Sequence, residues 1–202
     1  STITVRGNAL FSQASLHAQY GGVYPNLARR EHGNNIIPLT LSALKEAGML
    51  KPKKRSTIPQ HIENKIHTIL KKESEIAPCV ISLISDHKKP PIDAIAVTQG
   101  PGLEPALWVG INVAKSLSTG WNMPLVPVNH MEGHVLSALL KEKETGELYL
   151  PEIAFPAVAL LVSGGHTELV RMKDWLSYKV IGETRDDAVG EAFDKVARML
   201  DL

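Results

Sequence analysis

Residues 92–102, IDAIAVTQGPG, run an apolar strand of the buried kind into a Gly-Pro-Gly turn. LEPALWVGINVAKSLSTG (103–120) then reads as a helix with a small-residue face. PLVPVN (124–129) reads as a second buried strand and HMEGHVLSALLKE (130–142) as a second helix. Strand, helix, strand, helix is the signature of a parallel sheet, so the fold class is α/β.

Upstream, STITV and NALFSQAS read as two short strands around the Arg6-Gly7-Asn8 turn, and YGGVYPN (20–26) reads as a loop. A helical pattern starts at Leu27. Pro38 is expected to interrupt it before a second piece over 39–47, with Gly48 suited to the end. KPKKRSTIP (51–59) is a polar connector and HIENKIHTILKKESEI (61–76) an amphipathic helix. Downstream the pattern changes near residues 147–156. FPAVALLVSGGHTELVRM (155–172) is two strands around a Gly-Gly turn, which puts a lobe boundary at 150/151 and divides the chain into 1–150 and 151–202.

The 202 residues carry a formal net charge of +1 and 44% hydrophobic content, enough for a real core and too balanced for a wholesale polyanion binder. The basic run Lys51 to Arg55 reads as a solvated loop or a local RNA contact. No apolar run approaches the roughly 20 residues that span a bilayer. A single cysteine, Cys79, excludes an internal disulfide framework and fits a reducing compartment, so the expectation is a cytoplasmic protein with no membrane partner. Both ends read as cut: a strand-like start without methionine, and a stop just after a helical pattern. A fragment of a longer protein is expected.

Three stretches carry candidate chemistry. In NHMEGH, His130 and His134 stand four apart; on a helix that is about 40° in azimuth and 6 Å in rise, so both can reach one metal ion. Two ordinary histidines at a helix start are the alternative. A zinc metalloendopeptidase of the HExxH kind is disfavoured, because Glu132 lies about 200° round the helix from each histidine. Asn129 and Glu132 instead have capping-box spacing. In LLVSGGHTELV, the Ser163-Gly164-Gly165 turn can expose backbone N–H groups to a phosphate, with Ser163 and Thr167 as added donors; a plain hairpin turn is the alternative. In ETRDDAVGEAFDKVARML (183–200), Val189, Phe193, Val196 and Leu200 form an expected buried stripe. Glu191–Lys195 and Asp194–Arg198 are helix ion-pair spacings. Asp194 can alternatively accept ribose hydroxyls, with Gly190 leaving room for a nucleotide.

Together NHMEGH, LLVSGGHTELV and GETRDDAVGEAFDKVARML, with YGGVYPNLARREH and VTQGPGLEPALWVGI, closely resemble the tRNA threonylcarbamoyladenosine transferases of bacteria and organelles, once described as O-sialoglycoprotein endopeptidases. The resemblance covers nearly the whole chain and is least distinct over 51–91. It implies a two-lobed actin/Hsp70/sugar-kinase-like fold, here the first lobe, lacking its first strand, and the start of the second. It implies transfer of threonylcarbamoyl from threonylcarbamoyl-AMP to N6 of adenosine 37 in tRNAs that read codons starting with A.

The resemblance further implies that His130 and His134 bind one divalent ion, iron or zinc. Leu161, Val162, Ser163, Gly164, Gly165 and Asp194 match its substrate contacts. Implied partners are tRNA, a degenerate paralogue and the P-loop ATPase of the bacterial complex. The family's acidic–Thr–Ser–Cys loop would precede Ser1 and its third ligand, an aspartate, would follow Leu202. On this reading the 202 residues alone are expected to be inactive, and a non-catalytic, partner-binding scaffold is the other-class alternative.

Overall fold

The computed structural model describes residues 2–20, 22–175 and 177–201. Ser1 and Gly21, within STITV and YGGVYPN, lie outside the described residues. In chain order the elements are β1 (Thr2–Ile3), α1 (Ala14–Ala18), α2 (Pro25–Glu46), α3 (Gln60–Ile69), α4 (Ala77–Asp86), β2 (Ile95–Gly100), α5 (Glu104–Trp121), β3 (Leu125–Asn129), α6 (His130–Leu139), β4 (Lys141–Glu142), β5 (Leu148–Tyr149), β6 (Ala157–Val162), β7 (Thr167–Asp174), β8 (Ser177–Glu183) and α7 (Val189–Met199). A 3₁₀ turn, Lys71–Glu73, follows α3. The chain is mixed α/β and forms two compact units, Thr4–His130 and Met131–Leu202 with Ser1–Ile3.

In the unit Thr4–His130, β2 and β3 pair in parallel, Ile95 opposite Leu125 through Thr98 opposite Val128, as the strand–helix–strand reading of 92–129 requires. The crossover is α5. Its buried Val109, Val113, Leu117 and Trp121 join Ile37 of α2, Ile66 of α3, and Val80 and Leu83 of α4 in one core. Asn122 ends α5 in the left-handed conformation, φ 48°, which an asparagine tolerates.

Three expectations need correcting here. NALFSQAS is not a strand: β1 pairs antiparallel with β5, and Ala14 begins a short helix. Pro38 does not divide α2, which runs unbroken over 22 residues. A proline inside a helix costs about 3 kcal/mol. Burial of Ile37 with Ile36, Leu41 and Leu44 against the same core returns about 1.5–3 kcal/mol per fully buried side chain, which is enough to hold both halves in register. The helix over 61–76 ends at Ile69, and a separate helix, α4, follows.

In the unit Met131–Leu202 with Ser1–Ile3, β6, β7 and β8 make an antiparallel sheet in that order. One sheet face packs Ala157, Ala159, Leu161, Val170 and Met172 against Val135, Met131 and Leu139 of α6. The other presents Val158, Leu160 and Val162 to solvent. The small sheet β1-β5-β4 completes this unit. The expected buried stripe of α7 is also a correction. Val189, Phe193, Val196 and Leu200 are all exposed, Phe193 at 72%, because no described element packs along that side of the helix. None of the described helices is long and apolar enough to cross a membrane.

Candidate functional site

β3 ends at Asn129 and α6 opens on His130, so the first histidine sits where a strand delivers the chain into a helix. Neither β2 nor β3 is the buried strand that its apolar run predicts: no residue of either is fully buried, and Ala96, Val126 and Pro127 are exposed, because α5 and its neighbours cover the pair in part only. His134 follows one turn later on the same helix. A Cβ added at Gly133, between them, would meet open space, so no packing contact demands glycine there. Glu132 lies close enough to raise the pKa of Tyr178 on β8. Burial is the larger cause of that upward shift, with the carboxylates of Glu132 and Asp174 behind it. The Tyr178 hydroxyl donates to the Trp175 carbonyl at 2.8 Å. Glu132 thus sits electrostatically against the sheet tyrosine.

The donor set fits an ion in part. Two imidazoles a turn apart on one helix can ligate one ion, but the described residues contain no cluster of three histidine, cysteine or carboxylate side chains that could close a site.

His134 lines a cavity of about 390 Å³ together with Leu161, Val162 and Ser163, so one histidine and the first half of the glycine hairpin share a space in this unit. The hairpin's own bonds decide which donors remain. The Ser163 N–H donates to the His166 carbonyl at 2.8 Å, and the His166 N–H donates to Ser163 Oγ at 2.9 Å. Thr167 Oγ1 accepts the Val189 N–H at 2.8 Å, and the Ser163 carbonyl accepts the Gly190 N–H at 3.2 Å. Both hydroxyl oxygens therefore accept backbone N–H groups inside the protein; the Ser163 O–H also points to the His166 carbonyl at 3.4 Å, and the Thr167 O–H remains a donor. Gly164 and Gly165 are the turn positions with open space where side chains would be.

Gly190 has a role that spacing did not reveal. A Cβ there would come within 2.6 Å of the Ser163 carbonyl oxygen, so glycine is what lets the start of α7 close on the hairpin. Asp194, one turn further on, is exposed. Its backbone carbonyl, not its carboxylate, receives Arg198 Nε at 3.2 Å. Lys195 instead binds Asp187 at 2.6 Å and Glu191 at 3.3 Å, and those two contacts raise its pKa.

His130 lines a second cavity, about 730 Å³, in the unit Thr4–His130. Two histidines that the sequence reading did not single out, His17 and His32, line it too. The Tyr24 N–H donates to His17 Nδ1 at 3.2 Å, so His17 Nε2 carries the proton and donates to Gln13 Oε1, also at 3.2 Å. His32 Nδ1 donates to the Ala28 carbonyl at 2.7 Å. The 3.3 Å approach of Gln13 Nε2 to that same Nδ1 is then not a hydrogen bond, since a nitrogen that donates cannot also accept. YGGVYPNLARREH contained His32, but nothing in its spacing to His130 marked the two as neighbours.

The family model described as TsaD, tRNA N6-adenosine threonylcarbamoyltransferase, matches residues 4–58 and 71–202. A protein of Thermomicrobium roseum named tRNA N6-adenosine threonylcarbamoyltransferase is 44% identical over 198 residues. That match covers 98% of this chain and 43% of the relative, so the chain spans under half of the relative's length. The matched segments contain both α6 histidines, the glycine hairpin and α7, and they exceed half of the sequence by a wide margin. On these grounds the chain belongs to the tRNA N6-adenosine threonylcarbamoyltransferase family.

Proposed function

We propose that this chain contributes the histidine pair and the acyl-adenylate hairpin of an enzyme that makes N6-threonylcarbamoyladenosine in tRNA. The observation that supports it most directly is the pairing of family membership with His130 and His134 one turn apart at the head of α6. In the reaction, the N6 amine of adenosine 37 forms a bond to the carbamoyl carbon of threonylcarbamoyl-AMP. The bond from that carbon to the phosphate oxygen breaks, AMP leaves, and N6 gives up a proton.

His130 and His134 would hold one divalent ion, iron or zinc, since imidazole suits both. Such an ion supplies Lewis acidity at a carbonyl and a fixed point for orienting substrate. The Gly164 and Gly165 N–H groups would hold the phosphate and favour AMP as leaving group. Ser163, bonded to His166, keeps the turn in shape, and Leu161 and Val162 wall the cavity beside it. The Asp194 carboxylate would accept ribose hydroxyls. Residues 1–150 and 151–202 would fall in the two lobes of an actin/Hsp70/sugar-kinase-like fold. tRNA, a degenerate paralogue and a P-loop ATPase would be its partners in the cytoplasm.

The test uses the full-length protein with synthetic threonylcarbamoyl-AMP and an unmodified tRNA transcript, alongside metal analysis. Substituting both His130→Ala and His134→Ala should remove bound metal and lower transfer by at least about 100-fold, since even outer-shell partners of a metal cost about 10–100-fold. Wild-type transfer and metal content in that double variant would overturn the assignment.

A further inference from the structure

Remote from the histidines in sequence, the unit Thr4–His130 holds a third cavity, about 530 Å³, lined by Arg29 of α2, Thr68 of α3, the Lys71–Glu73 turn, and Glu104, Trp108 and Asn112 of α5. Its floor is a buried carboxylate: Glu73 is 2% exposed, receives Arg29 Nη2 at 3.1 Å on one oxygen, and receives Asn112 Nδ2 at 2.9 Å on the other. Arg29 Nη2 also donates to the Lys72 carbonyl at 2.6 Å, which fixes the turn that carries Lys71 and Lys72. Because Asn112 gives its amide N–H to Glu73, its Oδ1 is left as an acceptor.

Trp108 forms the aromatic wall. It is 45% exposed, yet its ring is held: Nε1 donates to Glu104 Oε1 at 3.3 Å, and Lys115 Nζ lies 5.5 Å from the ring centroid. Lys115 is not among the cavity-lining residues. An exposed tryptophan clamped by two neighbours is a prepared stacking surface. Of the charged side chains that line the cavity, Arg29, Lys71 and Lys72 outnumber Glu73 and Glu104, and Glu104 is held on the tryptophan N–H. Glu73 is neutralised by Arg29, and Lys71 and Lys72 take no ion-pair partner among the described residues.

We propose that this cavity takes a nucleotide of the RNA substrate other than the one modified, its base against Trp108 and its phosphate toward Lys71 and Lys72. An aromatic platform beside cations is how single-stranded nucleic acid is held without base-pair readout, and Asn112 Oδ1 offers an acceptor to an exocyclic amine. The inference rests on the tRNA reading above.

The experiment measures tRNA affinity of the full-length protein over a salt series, for wild type, W108A, W108F and K71E/K72E, with transfer of threonylcarbamoyl assayed in parallel. Stacking losses on alanine substitution correspond to a Kd raised by about 5-fold or more for W108A, with W108F close to wild type. K71E/K72E should flatten the dependence of log K on log salt by at least about 1.4, two single-strand phosphate contacts. Thermal melts that match wild type establish that each variant is folded, and K71E/K72E carries the case if W108A does not fold. Wild-type protein that neither binds nor modifies tRNA defeats the functional reading itself. Wild-type protein that does both, with affinity unchanged in W108A and salt slope unchanged in K71E/K72E, defeats only this site. Trp108-dependent binding of free AMP without effect on tRNA, or loss of a protein partner at unchanged tRNA affinity, would likewise overturn it.

Discussion

Gly190 and the Arg29–Glu73 pair show how single residues set local geometry. A Cβ at position 190 meets the Ser163 carbonyl and the Gly164 amide, which are backbone atoms and cannot rotate aside. Gly190→Ala should therefore separate α7 from the hairpin. The expected cost is of order 1–3 kcal/mol, the usual overpacking range, read as a lower urea midpoint. In the ion pair the burial is lopsided: the Arg29 side chain is 41% exposed and that of Glu73 is 3%. Removing Glu73 leaves Arg29 with the Lys72 carbonyl and water, whereas removing Arg29 strands a buried carboxylate on Asn112. Arg29→Ala should thus destabilise more than Glu73→Gln, by about 2–4 kcal/mol, and the double variant should cost less than the sum of the two. Equal single costs, or additivity, in denaturation would contradict that account.

At the scale of elements, the connector 51–59 is held to α4 more firmly than its composition implies. Pro52 bridges to His87, the Lys53 N–H donates to the Asp86 carbonyl at 2.8 Å, and Arg55 Nε approaches Asp86 Oδ1 at 3.6 Å. The Ser82 hydroxyl, 2.6 Å from Asp86 Oδ2, is the main reason that carboxyl titrates below the usual carboxylate range, with Arg55, Ser85 and His87 adding to it. A pKa lowered by folding stabilises above the unfolded value, near 3.8, and that contribution is lost as pH falls through the folded value. Asp86→Asn should lower the urea midpoint at pH 7, and the gap from wild type should close below about pH 4. A gap that does not narrow as pH falls below about 4 would place the role of Asp86 elsewhere. The same scale explains α2: its proline was legible, but the burial that outweighs it comes from α5 and α4, far along the chain.

For the whole molecule, the main feature is apolar surface without a partner among the described residues. Leu160 is 64% exposed on the outer face of β6, flanked by Val158 and Val162, and α7 turns Phe193, Val196 and Met199 outward. Patches of this kind promote association. The 202-residue chain should bind a hydrophobic dye and self-associate at micromolar concentration, and Leu160→Lys with Phe193→Glu should suppress both without lowering the melting temperature. Suppression accompanied by unfolding would mean that these side chains are core after all.

The sequence by itself determined the alternation of strand and helix over 92–139, the hairpin after it and the amphipathic character of 189–199, because periodicity and turn chemistry are local properties. It also carried the histidine spacing, which needs only a helix to become geometry. Tertiary structure alone decided the rest. Whether Pro38 breaks a helix depends on what its neighbours bury, and whether the stripe of α7 is core depends on what covers it. Ser163 meets Gly190 across 27 residues of sequence, and Thr167 takes the Val189 N–H across 22. His17 and His32 join His130 around one cavity only once α1, α2 and β3 are packed. Such contacts are set by the path of the whole backbone, and no local pattern of residues encodes them.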